Sequence, residues 1–413
     1  MPTQRSNRAI QMHIGFDVSQ TGSGKAGCGY FSDAMIKAMT AVTPANKYAL
    51  YPSFGDFFFD ARMPFLNPYR GKNLHYGPRH LTKKSAGSFW AQSRIETALG
   101  NPDVIHSNNF YAPIQLTHSR LIYTLYDIGF AVNPDWTTEA NRVGCFNGIF
   151  RSSISADWVV AISEFSRAHY LELFPHFPSD RVRVVYPCSR FTDSTREGTP
   201  PASASNLVTN AFWLSVGTIE PRKNQRLLVR AYARYLEAGG RPMPLVLAGG
   251  KGWLMDDFQK FVAAQGLTEH VIMTGYISDD EMIWLYRNCY ANMYPSLFEG
   301  FGLPVLEGMQ FGAPTICSNT TSMPEVAGNA AIMLSPEAPD AWTENMLELA
   351  QDREKQQRLG LAARERAKQF DWERSAVAML AIYENAVTSP KRVDIETTRA
   401  VALKPRVSSD VQK

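Results

Sequence analysis

Short apolar runs alternate with longer amphipathic stretches along most of the chain, and the pattern occurs twice. His13–Phe16, Lys47–Leu50, Asp103–His106, Leu121–Leu125, Trp158–Ala161 and Arg181–Val185 read as strands of a first sheet. Phe212–Val216, Leu245–Ala248, Val271–Thr274, Tyr290–Tyr294 and Pro314–Cys317 read as strands of a second. Strands separated by helix-length segments are not joined by hairpins, so the pattern predicts an α/β chain with two parallel sheets. Thr192–Asn206 is rich in Ser, Thr, Pro and Gly and lacks an apolar face, as a linker does. The expected division is a first domain over 1–195, a linker over 196–206 and a second domain over 207–371. A helix over 372–388 follows, with its helix-like core at Glu373–Ala386. Residues 389–413 show little apolar periodicity and are expected to form a mobile tail.

A chain of 413 residues accommodates two domains of ordinary size, each with its own core. Its 45% hydrophobic and 20% charged residues are those of a soluble globular enzyme. The balance of 42 basic and 39 acidic residues, +3, does not argue for nucleic acid. Cys28, Cys145, Cys188, Cys289 and Cys317 include no C-x-x-C pair, so neither a disulfide framework nor a zinc site is indicated. The N-terminus has no secretory apolar core, and no run reaches the ~20 apolar residues that span a bilayer. A cytoplasmic location is the expectation.

The run Ser-Leu-Phe-Glu-Gly-Phe-Gly-Leu-Pro-Val-Leu-Glu at 296–307 carries the chemistry. Gly300 and Gly302 allow a tight turn open to a ligand, and Pro304 suits the first turn of a helix. The result is a strand–loop–helix junction that places Glu299 and Glu307 in one crevice. Backbone N–H groups at a helix start attract anions. Carboxylates beside them accept hydrogen bonds and repel phosphate, so they suit sugar hydroxyls. A second junction runs from Phe212–Gly217 into Thr218-Ile-Glu-Pro-Arg222-Lys223-Asn224. Arg222 can fork onto two phosphate oxygens and Lys223 adds a compact charge, as a diphosphate leaving group requires. His106 and Asp127 end strands, where ligands gather in open α/β sheets.

With these segments in order, the chain resembles the family 4 retaining glycosyltransferases. The resemblance rests on the E-x7-E pair Glu299 and Glu307, the Gly217–Asn224 segment, and the turn Ser322-Met-Pro-Glu-Val-Ala-Gly328. It is close over about 210–385, looser over 11–30 and 100–190, and carried by no motif over 52–95. It implies a GT-B fold, with two Rossmann-like domains facing across a cleft and the helix near Glu373–Ala386 crossing back to the first domain. It implies a catalytic set of Arg222, Lys223 and Glu299, with His106 and Asp127 added from their strand ends. Donor contacts are expected at Gly217, Lys251, Tyr276, Ile277, Gly300, Phe301, Gly302, Leu303 and Glu307. Family analogy gives Glu299 the hydroxyls of the transferred sugar and Glu307 those of the ribose. Ala248–Trp253 resembles the loop of many mannosyl-transferring members, and Gly275–Ile277 lies where the family's backbone meets the base. GDP-mannose is therefore the expected donor and a glycan or lipid-linked saccharide of cell-surface polysaccharide the expected acceptor, with a UDP-sugar as the alternative. Many relatives carry histidine before the position of Asp127; this chain has Tyr126.

Gly22, Gly24 and Gly27 spell G-x-G-x-x-G, but no acidic residue closes the next strand to hold a dinucleotide ribose. Ala26 stands where a Walker loop needs Ser or Thr. In the family a glycine-rich loop here closes over the donor phosphates, which points to Gly27 and Gly29. An NAD-dependent dehydrogenase and a catalytically silent sugar-binding protein are the readings from other classes. Residues 61–95 carry Arg62, Arg70, Lys72, Arg79, Lys83, Lys84 and Arg94 with no acid, interleaved with aromatics. Such a stretch is either a solvated face or a contact with the inner membrane surface. No cofactor or metal is expected, since the chain lacks Asp-x-Asp and supplies two cations. Without a nucleophilic carboxylate on the far face, front-face transfer is the expected route to retention.

Overall fold

The computed structural model describes residues 11–392, apart from 23, 24, 26, 59, 67, 192–194, 251 and 253–256. Lys251 and most of the expected tail thus lie outside the described residues. Thirteen strands form two parallel sheets among the described residues. The first contains β1 (His13–Asp17), β2 (Lys47–Tyr51), β3 (Leu74–Tyr76), β4 (Val104–Ser107), β5 (Arg120–Leu125), β6 (Trp158–Ala161) and β7 (Val182–Val184), in the order β3-β2-β1-β4-β5-β6-β7. The second contains β8 (Trp213–Val216), β9 (Leu245–Ala248), β10 (Val271–Gly275), β11 (Ala291–Tyr294), β12 (Thr315–Ser318) and β13 (Ile332–Leu334), in the order β10-β9-β8-β11-β12-β13. Both orders reverse beside the first strand of the sheet, and the crevice at such a switch point is where α/β sheets bind ligands.

Central strands such as Trp158-Val-Val-Ala161 and Leu245-Val-Leu-Ala248 are buried throughout, which is why they read as continuous apolar runs. Two strands escaped the sequence reading, β3 and β13. Each has three residues at a sheet edge, too few to show a period.

The last described helix, Trp372–Thr388, lies on the first domain. Ala376, Met379, Leu380 and Tyr383 join one apolar cluster with Met35, Ile36 and Met39 of the helix Gly27–Val42. Trp372 Nε1 donates to Ser189 O at 2.9 Å and Ser375 Oγ to Tyr186 O at 2.8 Å, so the two chain crossings lie side by side. The tail does not begin at 389. Arg392 stacks on Phe177 and donates to Ala156 O (2.6 Å) and Ser153 O (3.0 Å), and its backbone N–H donates to Asp157 (2.8 Å). These are tertiary bonds of one residue, which leave no periodic trace.

The basic stretch 61–95 is partly core. Trp90 is buried against Phe54 and donates its indole N–H to Ser53 O, while Tyr69 donates to Asp33 at 2.6 Å. Lys83 and Lys84 remain exposed on the helix Lys83–Trp90, near Leu81 in sequence, which is itself 60% exposed. Among the described residues, no helix is long and apolar enough to cross a membrane.

Candidate active site

Beyond β8 the chain turns at Gly217 and runs through the 3-10 turn Pro221–Lys223 to Asn224, whose left-handed backbone (φ 58°) starts the helix Gln225–Glu237. Asn224 Nδ2 donates to Pro295 O (3.1 Å) and Pro336 O (2.8 Å), and Leu297 N donates to Arg222 O (2.8 Å). These bonds lash the loops after β8 and β11 together and bring the two sequence motifs into one site.

Arg222 Nη1 donates to Glu299 Oε2 (3.0 Å) and Phe298 O (2.8 Å), while Nη2 donates to Glu220 Oε1 (2.8 Å). Lys223 Nζ donates to Glu299 Oε1 (2.6 Å) and Tyr294 OH (2.7 Å). Tyr294 OH (3.0 Å) and Ser296 Oγ (2.6 Å) also donate to Glu299 Oε1. Burial alone would raise the Glu299 carboxyl, but Arg222 and Lys223 overcome it and hold the group at about 2. Burial of the Arg222 guanidinium is likewise outweighed by Glu299, Asp127 and Glu220, which keep it charged at any relevant pH.

The stabilisation from Glu299 ionisation has a definite pH window. Its folded-state value lies below the usual 4.5, so the contribution is complete above that value and is lost as pH falls towards 2. Melting temperatures of the wild type and E299Q should therefore differ by a constant amount from about pH 7 to 5 and converge in stronger acid. A gap independent of pH down to about 3 would contradict the pairing.

Gly302 (φ 104°) begins the helix Leu303–Gln310, which carries Glu307 on its inner side, 4% exposed. Tyr286 OH donates to Glu307 Oε2 at 3.2 Å, and Arg190 Nε stands 3.4 Å from Oε1. Burial pushes the Glu307 carboxyl up and Arg190 opposes it. Phe301 and Ile277 face inwards. The Phe301 ring lies between Tyr186 and Phe370, and Ile277 packs with Met282 and Ile283, which leaves their backbones to meet a ligand. Leu303 packs partly on the core, whereas Tyr276 is 81% exposed. Gly217 borders the Lys223 stem, and its positive φ of 146° is a backbone conformation that side chains rarely adopt.

The first domain closes the other wall. A Cβ on Gly300 would lie 2.2 Å from Tyr126 O, so the loop after β11 touches the loop after β5. Asp127 Oδ1 accepts Gly129 N at 3.0 Å, and its charge reaches Arg222. Phe298 fills a socket made by Gly129, Trp136, Phe165 and His169. Glu325, from the Ser322–Gly328 turn, caps the helix Glu164–Leu173, accepting Glu164 N (2.7 Å), Phe165 N (3.3 Å) and Tyr186 OH (2.7 Å). A carboxylate at a helix start is stabilising. Glu325→Ala should cost the domain contact about 1.5–3 kcal/mol, the range for hydrogen bonds to a charged group. Faster hydrogen exchange at the Glu164 and Phe165 amides would show it.

His106 is a correction. It is fully buried beneath the last helix, with Nδ1 on Tyr383 OH and Nε2 2.7 Å from Thr124 Oγ1, and burial lowers it to about 3. A neutral imidazole with both nitrogens engaged inside the core is structural. Tyr126 turns its hydroxyl into the first domain, to Asn108 O (3.1 Å) and Cys28 O (3.3 Å). Gly29 is required by its own loop, since a Cβ would meet Gln20 O at 2.1 Å, while Gly27 has open space around it. Among the described residues no group of three His, Cys, Asp or Glu is placed to hold a metal. Hollows of about 760 and 820 Å³ lie beside Arg287, Phe311 and Arg364, and neither is lined by Glu299 or Glu307.

Sequence reasoning missed Glu220, Arg190 and the Phe298 socket. Only Glu220 had a signal, lying two residues before Arg222. The others depend on contacts across the cleft.

The model of the "Glycosyl transferases group 1" family matches residues 202–366, and that of "Glycosyltransferase Family 4" matches 48–188. The chain is 34% identical over 287 residues to the O-antigen chain mannosyltransferase B of Escherichia coli, covering 68% of this chain and 74% of that one. The chain belongs to glycosyltransferase family 4. A further relative of this family 4 glycosyltransferase is the serotype-specific mannosyltransferase WbdA of Escherichia coli, 30% identical over 94% of this chain. The chain spans half the length of that relative. Sucrose-phosphate synthase from Thermosynechococcus elongatus (TM-score 0.69, 18% identity) covers 91% of this chain and 99% of its own. Anabaena HepE in complex with UDP-glucose (TM-score 0.67, 18% identity) covers 91% and 100%. Both share the GT-B fold, which is the fold of this chain. Family membership removes the dehydrogenase reading of the Gly22–Gly27 loop.

Proposed function

We propose that this glycosyltransferase moves mannose from GDP-mannose onto a glycan or lipid-linked acceptor of cell-surface polysaccharide, with retention and without a metal. The observation that carries the reading is the locked group of Arg222, Lys223 and Glu299 at the strand ends, opposite Asp127 of the other domain. Cleavage of the anomeric C–O bond leaves negative charge on the diphosphate and positive charge on the sugar. Arg222, Lys223 and the helix start at Leu303 face the first of these, and preorganised donors of this kind are worth several kcal/mol. Glu299 is committed to both cations and is therefore an anchor, not a nucleophile, which favours front-face transfer. In that route the acceptor hydroxyl passes its proton to the departing phosphate oxygen as the new C–O bond forms. The relatives named as mannosyltransferases support mannose.

Thermal-shift measurements with GDP, GDP-mannose, UDP and UDP-glucose test the donor, because a ligand that binds only the folded state raises its melting temperature. Selective stabilisation by the guanosine compounds is expected. A shift with the uridine compounds alone overturns the guanosine assignment, and no shift with any of the four overturns the nucleotide-sugar site. The exposed Lys83 and Lys84 support contact with an anionic lipid face during acceptor capture. K83E/K84E should weaken sedimentation with vesicles containing anionic lipid while leaving donor hydrolysis unchanged; unaltered sedimentation would retire that contact.

A further inference from the structure

Arg190 has a position that the chemistry above does not use. It lies on the segment leaving β7 for the second domain, with its guanidinium 4.7 Å over the Tyr30 ring and 4.7 Å over Phe191. Its Nε is 3.4 Å from Glu307 Oε1 and 3.6 Å from Asp279 Oδ1. These are ion-pair separations without hydrogen-bond geometry, and the buried Nε has no hydrogen-bond partner among the described residues. An unused buried donor is costly unless the site is completed by something else. Tyr30 belongs to the first turns of Gly27–Val42 in the first domain, and Glu307 to the second. Arg190 therefore touches both domains that must come together around a donor.

We propose that Arg190 is a positioning residue which, backed by Tyr30, fixes Glu307 to accept the vicinal hydroxyls of the nucleotide ribose, so that ribose recognition depends on the closed arrangement of the domains. This rests on the donor site proposed above. Tyr286 already takes Oε2, so Oε1, the oxygen facing Arg190, is the one whose direction the guanidinium controls. A planar guanidinium stacked on an aromatic ring has one orientation, whereas an ammonium has none. Removal of Arg190 would leave the Glu307 carboxyl without the charge that opposes its burial, and a neutral carboxyl is a poorer acceptor for a diol.

The test is calorimetric affinity for GDP and UDP against their 2′-deoxy forms, in the wild type and in R190L, R190K and Y30L, each checked for folding by circular dichroism. The wild type should prefer the ribo form by about 10-fold, the scale of one hydrogen bond to a charged group. R190L should bring that preference to within about 2-fold while nucleotide binding survives. R190K should keep part of it, and Y30L should reduce it without altering any group that touches the ribose. Undiminished preference in R190L or in Y30L overturns the positioning role while leaving the donor site intact. Failure of the wild type to bind either nucleotide overturns the donor site and this role together.

Discussion

Arg222→Ala is expected to lower turnover by about 10²–10³-fold, the cost of removing one preorganised donor from a site where charge develops. The side chain carries more than its own charge. It holds Phe298 O and Glu299 through one nitrogen and Glu220 through the other, so it also sets the shape of the loop after β11. Lys in its place keeps a charge but cannot reach three acceptors in a fork, so R222K should recover only part of the rate. The fold should persist, because Lys223 still satisfies Glu299. The 2%-exposed Glu220 loses its partner, and with its carboxyl already raised by burial it is free to become neutral. Initial rates of donor hydrolysis and of transfer at saturating donor measure the effect. Near-normal kcat with raised KM would reassign Arg222 to ground-state binding.

Gly300→Ala should be nearly as damaging for a purely steric reason. The added methyl would lie 2.2 Å from the Tyr126 carbonyl oxygen and 2.9 Å from Asp127 Cβ, both in the other domain. Neither backbone can yield without moving a loop, and the domains must separate. Ser166 Oγ, which reaches Tyr126 O (3.1 Å) and Gly300 O (3.2 Å), would lose its bridge. A misplacement of about 1 Å between the two walls of a site costs on the order of 10²-fold in rate. The melting temperature should change little, because the cores of the two sheets are untouched. Small-angle scattering should show a larger radius of gyration and the transfer assay a lost rate. A wild-type rate from an unchanged shape would show that the contact is dispensable.

The loop motifs of the candidate site were legible because each is a local device. Gly217, the Arg222–Lys223 pair and the Glu299–Gly302 turn each sit within a few residues at a strand end, where backbone requirements appear directly as residue choice. His106 was misread for the same reason. It occupies a strand end as Asp127 does, but the helix that buries it lies some 270 residues further along the chain. Its partners, Tyr383 and Thr124, carry no mark in sequence that relates them to it.

Periodicity and turn chemistry, which are properties of neighbouring residues, determined the two parallel sheets and the strand-end turns that carry Arg222, Lys223 and Glu299. Only the tertiary structure decided how the lobes meet: Phe298 in its socket, Glu325 on a helix start, Arg190 between Tyr30 and Glu307. Those contacts join residues from about 120 to about 160 positions apart. Their energies depend on distance in space, which no local pattern of residues records.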